Sequence, residues 1–316
     1  LLNFELCYLK KQSNKKRLSQ FLKIEMYKLK EVSKYFPVSP FEREFGNGKK
    51  RRLYNPNREY KQVLKRINIS LQQIPIPSYV FGGIKKRDYV KNATVHKDNI
   101  YYLLMDLKDF FPSTSETFVY DFFKKKLGLA VDIARILTLL VTVPNEENSN
   151  CRNLPQGYST SPVLSYLAYY DMFEKIRILA HSHGIEFTCY YDDLTFSSPS
   201  LIGKTFKKQV IEIIEQFGLM VNNKKTQLIR NINGTRITGT IVKNNKLYSP
   251  NKLQRKLTDK FNELNNLDLS DPMIERNAVI QLCNTVQGCC SAITSIEKTR
   301  KFPHILSKVR EIRRSV

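Results

Sequence analysis

Three aspartates hold the chemistry that this chain most plainly offers. Asp106 ends the apolar run Ile100-Tyr101-Tyr102-Leu103-Leu104-Met105, and about eighty-five residues later Asp192 and Asp193 stand side by side. The first run reads as a buried strand that delivers its carboxylate to the strand end. Residues 187–190 lead into Tyr191-Asp192-Asp193 and residues 194–196 lead away, which reads as a hairpin with carboxylates at its tip. Like charges crowded at strand ends repel each other and resist desolvation, so a cation is expected to offset them. A hard divalent ion such as Mg²⁺ prefers carboxylate oxygen, keeps several waters and is shared with substrate phosphates. Three carboxylates converging from two strands are what two-metal phosphoryl transfer needs. The plainer alternative is an ordinary turn, in which Asp side chains bond their own backbone.

The elements that must position these groups follow from periodicity. Residues 5–35 mix Leu, Phe and Tyr with Lys at helical spacing and predict a basic helix or two. Pro37, Pro40 and Pro56 surround Lys49-Lys50-Arg51-Arg52, a loop or hairpin dense in cations, and a helix is expected over 59–73. Pro75 and Pro77 open a loop through Phe81-Gly82-Gly83-Ile84. Ser113-Thr114-Ser115-Glu116 has the pattern of a capping box and predicts a helix starting at Ser113. An apolar helix over 129–143 precedes a polar loop, 145–150. Ser161 suits an N-cap, with Pro162 in the first turn of a helix running to about Ala180. Ile202, Phe206, Val210, Ile213, Ile214 and Phe217 form one helical face, closed by Gly218. Short strands are expected at 219–221, 227–229, 237–242 and 246–248, with Asn233-Gly234 and Asn244-Asn245 as turns. From Pro250 the chain reads as mostly helical. Strands interleaved with helices predict an α+β sheet of the split βαβ type.

Composition narrows the partners. The chain has 316 residues, enough for a sizeable core and two or three subdomains, and 41% of them are hydrophobic. No apolar stretch approaches the ~20 residues of a membrane span. Leu1-Leu2-Asn3-Phe4 carries no basic flank followed by a long apolar core, so no secretory signal is read there, and a start without Met leaves room for native residues upstream. Six cysteines show no C-x-x-C spacing, so reduced cytosolic thiols are the expectation. Net charge is +23, and it is segregated: residues 1–70 carry +12 and 71–100 carry +3, whereas 101–200, with all three aspartates, carry −4. Residues 201–260 then carry +10 and 261–316 carry +2. An acidic centre between basic arms fits a polyanion held by the arms with metal ions at the centre.

These residues resemble a known family. Residues 100–113, 153–162, 190–197 and 218–226 are similar, in order and separation, to the successive palm motifs of reverse transcriptases, and Tyr190-Tyr191-Asp192-Asp193 matches their Y-x-D-D box. Asn92-Ala93-Thr94-Val95-His96 matches the N-A-x-x-H motif of bacterial retron reverse transcriptases. Ile237-Thr238-Gly239 resembles their V-T-G motif with Ile for Val. The resemblance implies a right-hand polymerase fold: fingers over 1–99, an antiparallel split βαβ palm over 100–247 (with 113–153 partly fingers), and a helical thumb over 248–316.

The resemblance also implies roles for single residues. Asp106, Asp192 and Asp193, with the carbonyl of Leu107, would hold two Mg²⁺ ions, and Lys225 would protonate leaving pyrophosphate. Phe111 would sit under the nucleotide sugar and exclude a 2′-OH, while Gln156 and Gly157 would face the incoming nucleotide. Arg51 and Arg52 would grip the triphosphate, or else form a solvated basic turn along the template. Tyr190 would pack near the primer end, and Asp109 would be structural. Asn92, His96, Thr238 and Gly239 would lie near the RNA or primer. Lys252, Arg255 and Lys256, with Lys260, would form the thumb-helix face along the duplex. His181 and His183 receive no role.

The function implied is an RNA-directed DNA polymerase of a retron. It would take dNTPs and copy its own structured noncoding RNA into multicopy single-stranded DNA, priming from a 2′-OH of an internal guanosine and leaving an RNA–DNA hybrid product. A part in anti-phage defence with a separate effector protein, and no membrane partner, goes with that reading. The alternatives are a group II intron-like or abortive-infection reverse transcriptase, or a noncatalytic RNA-binding scaffold.

Overall fold

A computed structural model describes residues 2–44, 48, 50–145, 148, 150–267 and 275–315. Lys49, parts of the expected 145–150 loop and part of the expected C-terminal helical region therefore lie outside the described residues. Along the chain run α1 (Lys15–Leu22), α2 (Met26–Lys30), α3 (Val32–Tyr35), β1 (Pro40–Glu44), β2 (Lys50–Tyr54), α4 (Arg58–Leu71), α5 (Tyr89–Val95) and β3 (Tyr101–Asp106). Next come α6 (Phe110–Ser113), α7 (Glu116–Asp121), α8 (Val131–Val141), β4 (Val143–Pro144), β5 (Arg152–Asn153), α9 (Ser161–Ala168) and α10 (Tyr170–Ser182). The chain continues with β6 (Glu186–Tyr190), β7 (Asp193–Ser198), α11 (Lys204–Gln216), β8 (Gln227–Arg230), β9 (Thr235–Ile237), β10 (Thr240–Lys243) and β11 (Lys246–Tyr248), and ends in α12 (Asn251–Asn265), α13 (Arg276–Ile296) and α14 (Pro303–Ser315).

Two compact units divide the chain. The first comprises Leu1–Asp88 with Tyr102–Leu228, and the second Tyr89–Tyr101 with Ile229–Val316. This division cuts across the three segments expected from sequence. Residues 1–88 join most of the expected palm, while 89–101 and 229–247 go with the C-terminal helices.

The main sheet, which lies in the first unit apart from Tyr101 of β3 and the last two residues of β8, has the order β6-β7-β3-β8. β6 and β7 form an antiparallel hairpin in which Phe187 faces Phe196, their rings stacked 4.8 Å apart, and Tyr190 faces Asp193. β3 buries Tyr102, Leu103 and Met105 before reaching Asp106. β1 and β2 form a separate hairpin that carries the Arg51 and Arg52 backbone. The N-terminal segment closes on α4: Ser70 Oγ accepts from the Leu9 amide at 2.8 Å, and Arg66 donates to the Leu22 carbonyl at 2.9 Å. In the second unit β11-β10-β9 form a small sheet. Its helical core gathers Leu257, Leu264, Cys283, Val286, Ile293 and Ile312 from α12, α13 and α14.

Four local expectations are corrected. Residues 4–35, expected to form a basic helix or two, hold two 3-10 segments and three short α-helices. Ser113 ends α6, and Ser115 takes the N-cap position of α7 without a side-chain cap bond; the Glu116 carboxylate accepts instead from the Arg152 amide at 3.1 Å. Thr160 is the N-cap of α9, with Ser161 its first residue, and the helix breaks before Ala180 at buried Tyr169, whose ring lies 4.6 Å from that of Phe118. Residues 237–242 are two strands, folded back at Thr238-Gly239.

Candidate active site

The end of β3 is tied to the tetrad hairpin through the backbone. The Leu107 amide donates to the Asp192 carbonyl at 2.9 Å. On its other side the Lys108 amide donates to Met220 O, and the Asn222 amide to Asp106 O, each at 2.8 Å. The turn that follows, with Lys225 N bonded to Asn222 O at 3.0 Å, brings the Lys225 ammonium onto Asp106 Oδ1. These backbone bonds, made between segments far apart in sequence, fix where the two carboxylates and the ammonium sit.

The tetrad turn stores strain. Tyr191 has φ +58°, a left-handed conformation uncommon for an aromatic residue. Strained backbone persists only where the surroundings over-determine it, and three contacts do so here. The Cys189 thiol donates to the Tyr191 carbonyl at 3.3 Å. Segment 79–81 zips onto Cys189, which donates to Tyr79 O and accepts from the Phe81 amide, each at 2.8 Å. Gly82 and Gly83 then lie against Tyr191: a Cβ on Gly82 would stand 2.5 Å from the Tyr191 nitrogen, and one on Gly83 would stand 2.6 Å from Pro162 Cβ. Arg87 holds this loop by donating to the carbonyls of Ile76 at 2.7 Å and Val80 at 2.6 Å.

A cavity of about 710 Å³ opens over these groups. Asp106, Leu107, Asp192 and Lys225 line its floor, and Phe111, Gln156, Gly157, Lys50, Arg51 and Arg52 its walls. Asp109 lines it too, left-handed at φ +46° as the cap of α6. Phe111 has its ring centroid 6.1 Å from that of Tyr191. Gly157, at φ +116°, lets the backbone of β2 approach: Tyr54 N donates to Gln156 O at 2.9 Å, and a Cβ at Gly157 would overlap the Tyr54 carbonyl. Gly157, expected to face the nucleotide, thus also packs against this chain's own hairpin.

The electrostatics follow from burial. Asp106 is 6% exposed. Burial, with the Asp106 charge adding to it, pushes the Asp192 carboxyl above the usual carboxylate range, while Lys225 and Arg51 pull it down. The bond to Asp106 raises the Lys225 ammonium. The carboxylates of Asp106 and Asp192 and the Leu107 carbonyl are oxygen donors, which suits a hard divalent cation. Among the described residues no three of His, Cys, Asp and Glu gather into a metal-binding group. Asp106 and Asp192 line the cavity together. Asp192 lies in the turn, whereas Asp193 has entered β7 opposite Tyr190; neither Asp193 nor Tyr190 lines the cavity, although Asp193 acts electrostatically on Lys225.

In the second unit, Asn92 and His96 are fully buried, so neither side chain is open to an RNA. Burial depresses the His96 pKa to about 3 and keeps the ring neutral. Thr238 and Gly239 form the two-residue turn between β9 and β10, with φ +44° and +97°. They border a cleft of about 370 Å³ together with Tyr89, Arg236, Lys252 and Lys256. Lys252, Arg255, Lys256 and Lys260 share a further concavity along α12. Sequence reasoning missed Lys108, Asn222, Tyr89 and Arg236. It also missed the support that Gly82, Gly83 and Arg87 give to Tyr191, although the Gly-Gly pair was a visible signal of close approach.

This sheet, with its strand-end carboxylate and the hairpin tetrad, is an α+β arrangement. The chain belongs to the reverse transcriptase family: the family model described as Reverse transcriptase (RNA-dependent DNA polymerase) matches residues 43–257. It is similar to the Retron Se72 reverse transcriptase of Salmonella heidelberg (strain 579083-10), 30% identical over 219 residues that make up 67% of this chain and 56% of that protein. It is also similar to the Retron Ec86 reverse transcriptase of Escherichia coli, 32% identical over 203 residues, 62% of this chain and 60% of that one. The chain thus spans less than two thirds of the length of these curated relatives. A solved telomerase from Candida albicans, in complex with a fragment of telomeric RNA, matches at a TM-score of 0.47 and 12% identity over 90% of this chain and 61% of that one. Among the described residues no helix is long and apolar enough to cross a membrane.

Proposed function

We propose that this chain is the RNA-directed DNA polymerase of a retron. It would copy a cognate structured noncoding RNA into multicopy single-stranded DNA, starting from a 2′-OH of an internal guanosine, in the bacterial cytoplasm and in the service of anti-phage defence with a separate effector. The observation that carries the reading is the backbone bond between Leu107 and Asp192, which sets the Asp106 and Asp192 carboxylates on the floor of a cavity also lined by Arg51, Arg52, Phe111 and Gln156. Residues 1–99 would act as fingers, 100–247 as palm and 248–316 as thumb.

Two Mg²⁺ ions, held by Asp106 and Asp192 with the Leu107 carbonyl alongside, would activate the primer hydroxyl and offset charge on the leaving pyrophosphate. Asp193 adds negative charge behind them. Arg51 and Arg52 bind the triphosphate through forked hydrogen bonds. The Phe111 ring excludes a ribose 2′-OH by steric collision. Lys225 holds the Asp106 carboxylate before substrate arrives and then gives a proton to pyrophosphate. Tyr190 packs near the primer end, and the exposed Lys252, Arg255 and Lys256 contact phosphates of the duplex without reading sequence.

Primer extension on an annealed RNA template with Mg²⁺ and dNTPs tests the reading. The parent protein should extend the primer, and Asp192→Asn should abolish extension while leaving the fold intact. Undiminished synthesis by Asp192→Asn would overturn the site assignment.

A further inference from the structure

Thr238 is in the wrong place for its residue type. It is the first of two left-handed residues in a two-residue hairpin turn, with Ile237 paired to Thr240. Such turns favour Asn-Gly or Asp-Gly, and a β-branched residue there is an outlier that its surroundings must hold in place. The holding group comes from a segment 146 positions away in sequence: Asn92 Nδ2 donates to Thr238 Oγ1 at 3.1 Å. The Thr238 hydroxyl in turn donates to the Tyr89 carbonyl at 3.3 Å. Asn92 is fully buried, and its Oδ1 has no hydrogen-bond partner among the described residues. An amide buried with one end unsatisfied is a poor choice for packing alone, so its use lies in the bond it does make. That bond and the one to Tyr89 both engage the Thr238 hydroxyl, and the half-buried turn borders a cleft.

What the turn borders indicates the ligand. The Thr238-Gly239 turn, Tyr89, Arg236, Lys252 and Lys256 line one cleft. The Tyr89 ring lies 3.9 Å from where a Gly239 Cβ would stand. Three cations and an aromatic ring around a backbone turn suit an RNA strand, with phosphates on the cations and a base against the ring.

We propose that Asn92 is a positioning residue for RNA binding, holding Thr238 left-handed and thereby setting the cleft wall formed by Thr238, Gly239 and Tyr89. The inference rests on the reading of this chain as an RNA-copying polymerase, but its test reads binding alone. The probe is a labelled RNA hairpin with a single-stranded flank, titrated against the full chain at several salt concentrations. Asn92→Ala should weaken binding about tenfold and flatten the dependence of log K on log salt, because fewer phosphates are neutralised. Adding Thr238→Asn to that variant should restore most of the affinity, since Asn tolerates the left-handed turn without help.

Affinity unchanged in a folded Asn92→Ala protein would overturn the proposal. So would a double variant that binds no better than Asn92→Ala. Should Asn92→Ala fail to fold, Thr238→Val takes its place, removing the hydroxyl while keeping the branched shape. Weaker binding by that variant supports the proposal, and undiminished binding sinks it. Extension of a pre-annealed primer by the parent protein reports the polymerase reading separately.

Discussion

In the first unit the residues with chemistry line the space where they would act. Asp106, Asp192 and Lys225 form the floor of one cavity, with Phe111 in its wall. In the second unit the residues of the N-A-x-x-H pattern, Asn92 and His96, are sealed from solvent, while the Thr238-Gly239 turn to which Asn92 is bonded borders a cleft. A recognisable motif can therefore mark a reacting group or the scaffold behind one. Burial separates the two cases: a carboxylate kept at a cavity floor despite its desolvation needs a counter-charge, whereas a neutral imidazole or amide kept fully buried needs only packing and a bond.

The largest effect expected from this contrast falls on the cavity. Asp106→Asn should lower primer extension by about a thousandfold, on the order of 4 kcal/mol of transition-state stabilisation, without a comparable loss of thermal stability. Single-turnover rates together with melting curves check both halves of that statement.

Next comes the support behind Tyr191. Gly82→Ala should destabilise the fold by roughly 2–3 kcal/mol and depress extension as well, because its Cβ would meet the Tyr191 backbone. Denaturant midpoints beside extension rates would show whether tetrad geometry and stability fall together. A variant as stable and active as the parent would mean the loop does not brace the turn.

The buried imidazole gives a smaller, pH-dependent effect. The folded-state pKa of His96 is depressed to about 3 from an ordinary 6.5. The unfolded chain thus takes up the proton first, and the stability is fully present above about pH 6.5 and lost as pH falls toward 3. Between pH 7 and pH 5 this contributes a loss of about 2 kcal/mol. Urea midpoints across that range should show it, and His96→Gln should flatten the profile. An equally steep profile in that variant would place the titration elsewhere.

Smallest is the sugar gate. Phe111→Ala should raise ribonucleotide incorporation relative to deoxynucleotide by about tenfold, near 1.4 kcal/mol. Competing rNTP and dNTP insertion on one template measures it, and unchanged discrimination would put the gate at another residue.

Much of the first unit was legible in sequence because its signals are local. An apolar run ending in Asp106, and two strand-like runs flanking Asp192, place those carboxylates without knowledge of the rest. The failures arise where distant groups intervene. Glu116 is taken by the Arg152 amide, so the capping-box pattern at Ser113 does not start a helix. Adjacency in sequence could not tell that Asp192 stays in the turn while Asp193 enters β7. Nor could it show that Gly157 accommodates the chain's own Tyr54, or that Asn92 lies inside and Thr238 at a cleft, since a short motif carries no record of what packs over it.

For Asp106 and Asp192 to hold a divalent metal as proposed, the Lys225 ammonium must withdraw from Asp106. Crystals soaked in Mn²⁺ and measured at the manganese edge test it most directly. An anomalous peak between the two carboxylates, with Lys225 moved off Asp106, is the expected result. No peak there, with the Asp106–Lys225 pair intact in the presence of nucleotide, would contradict it.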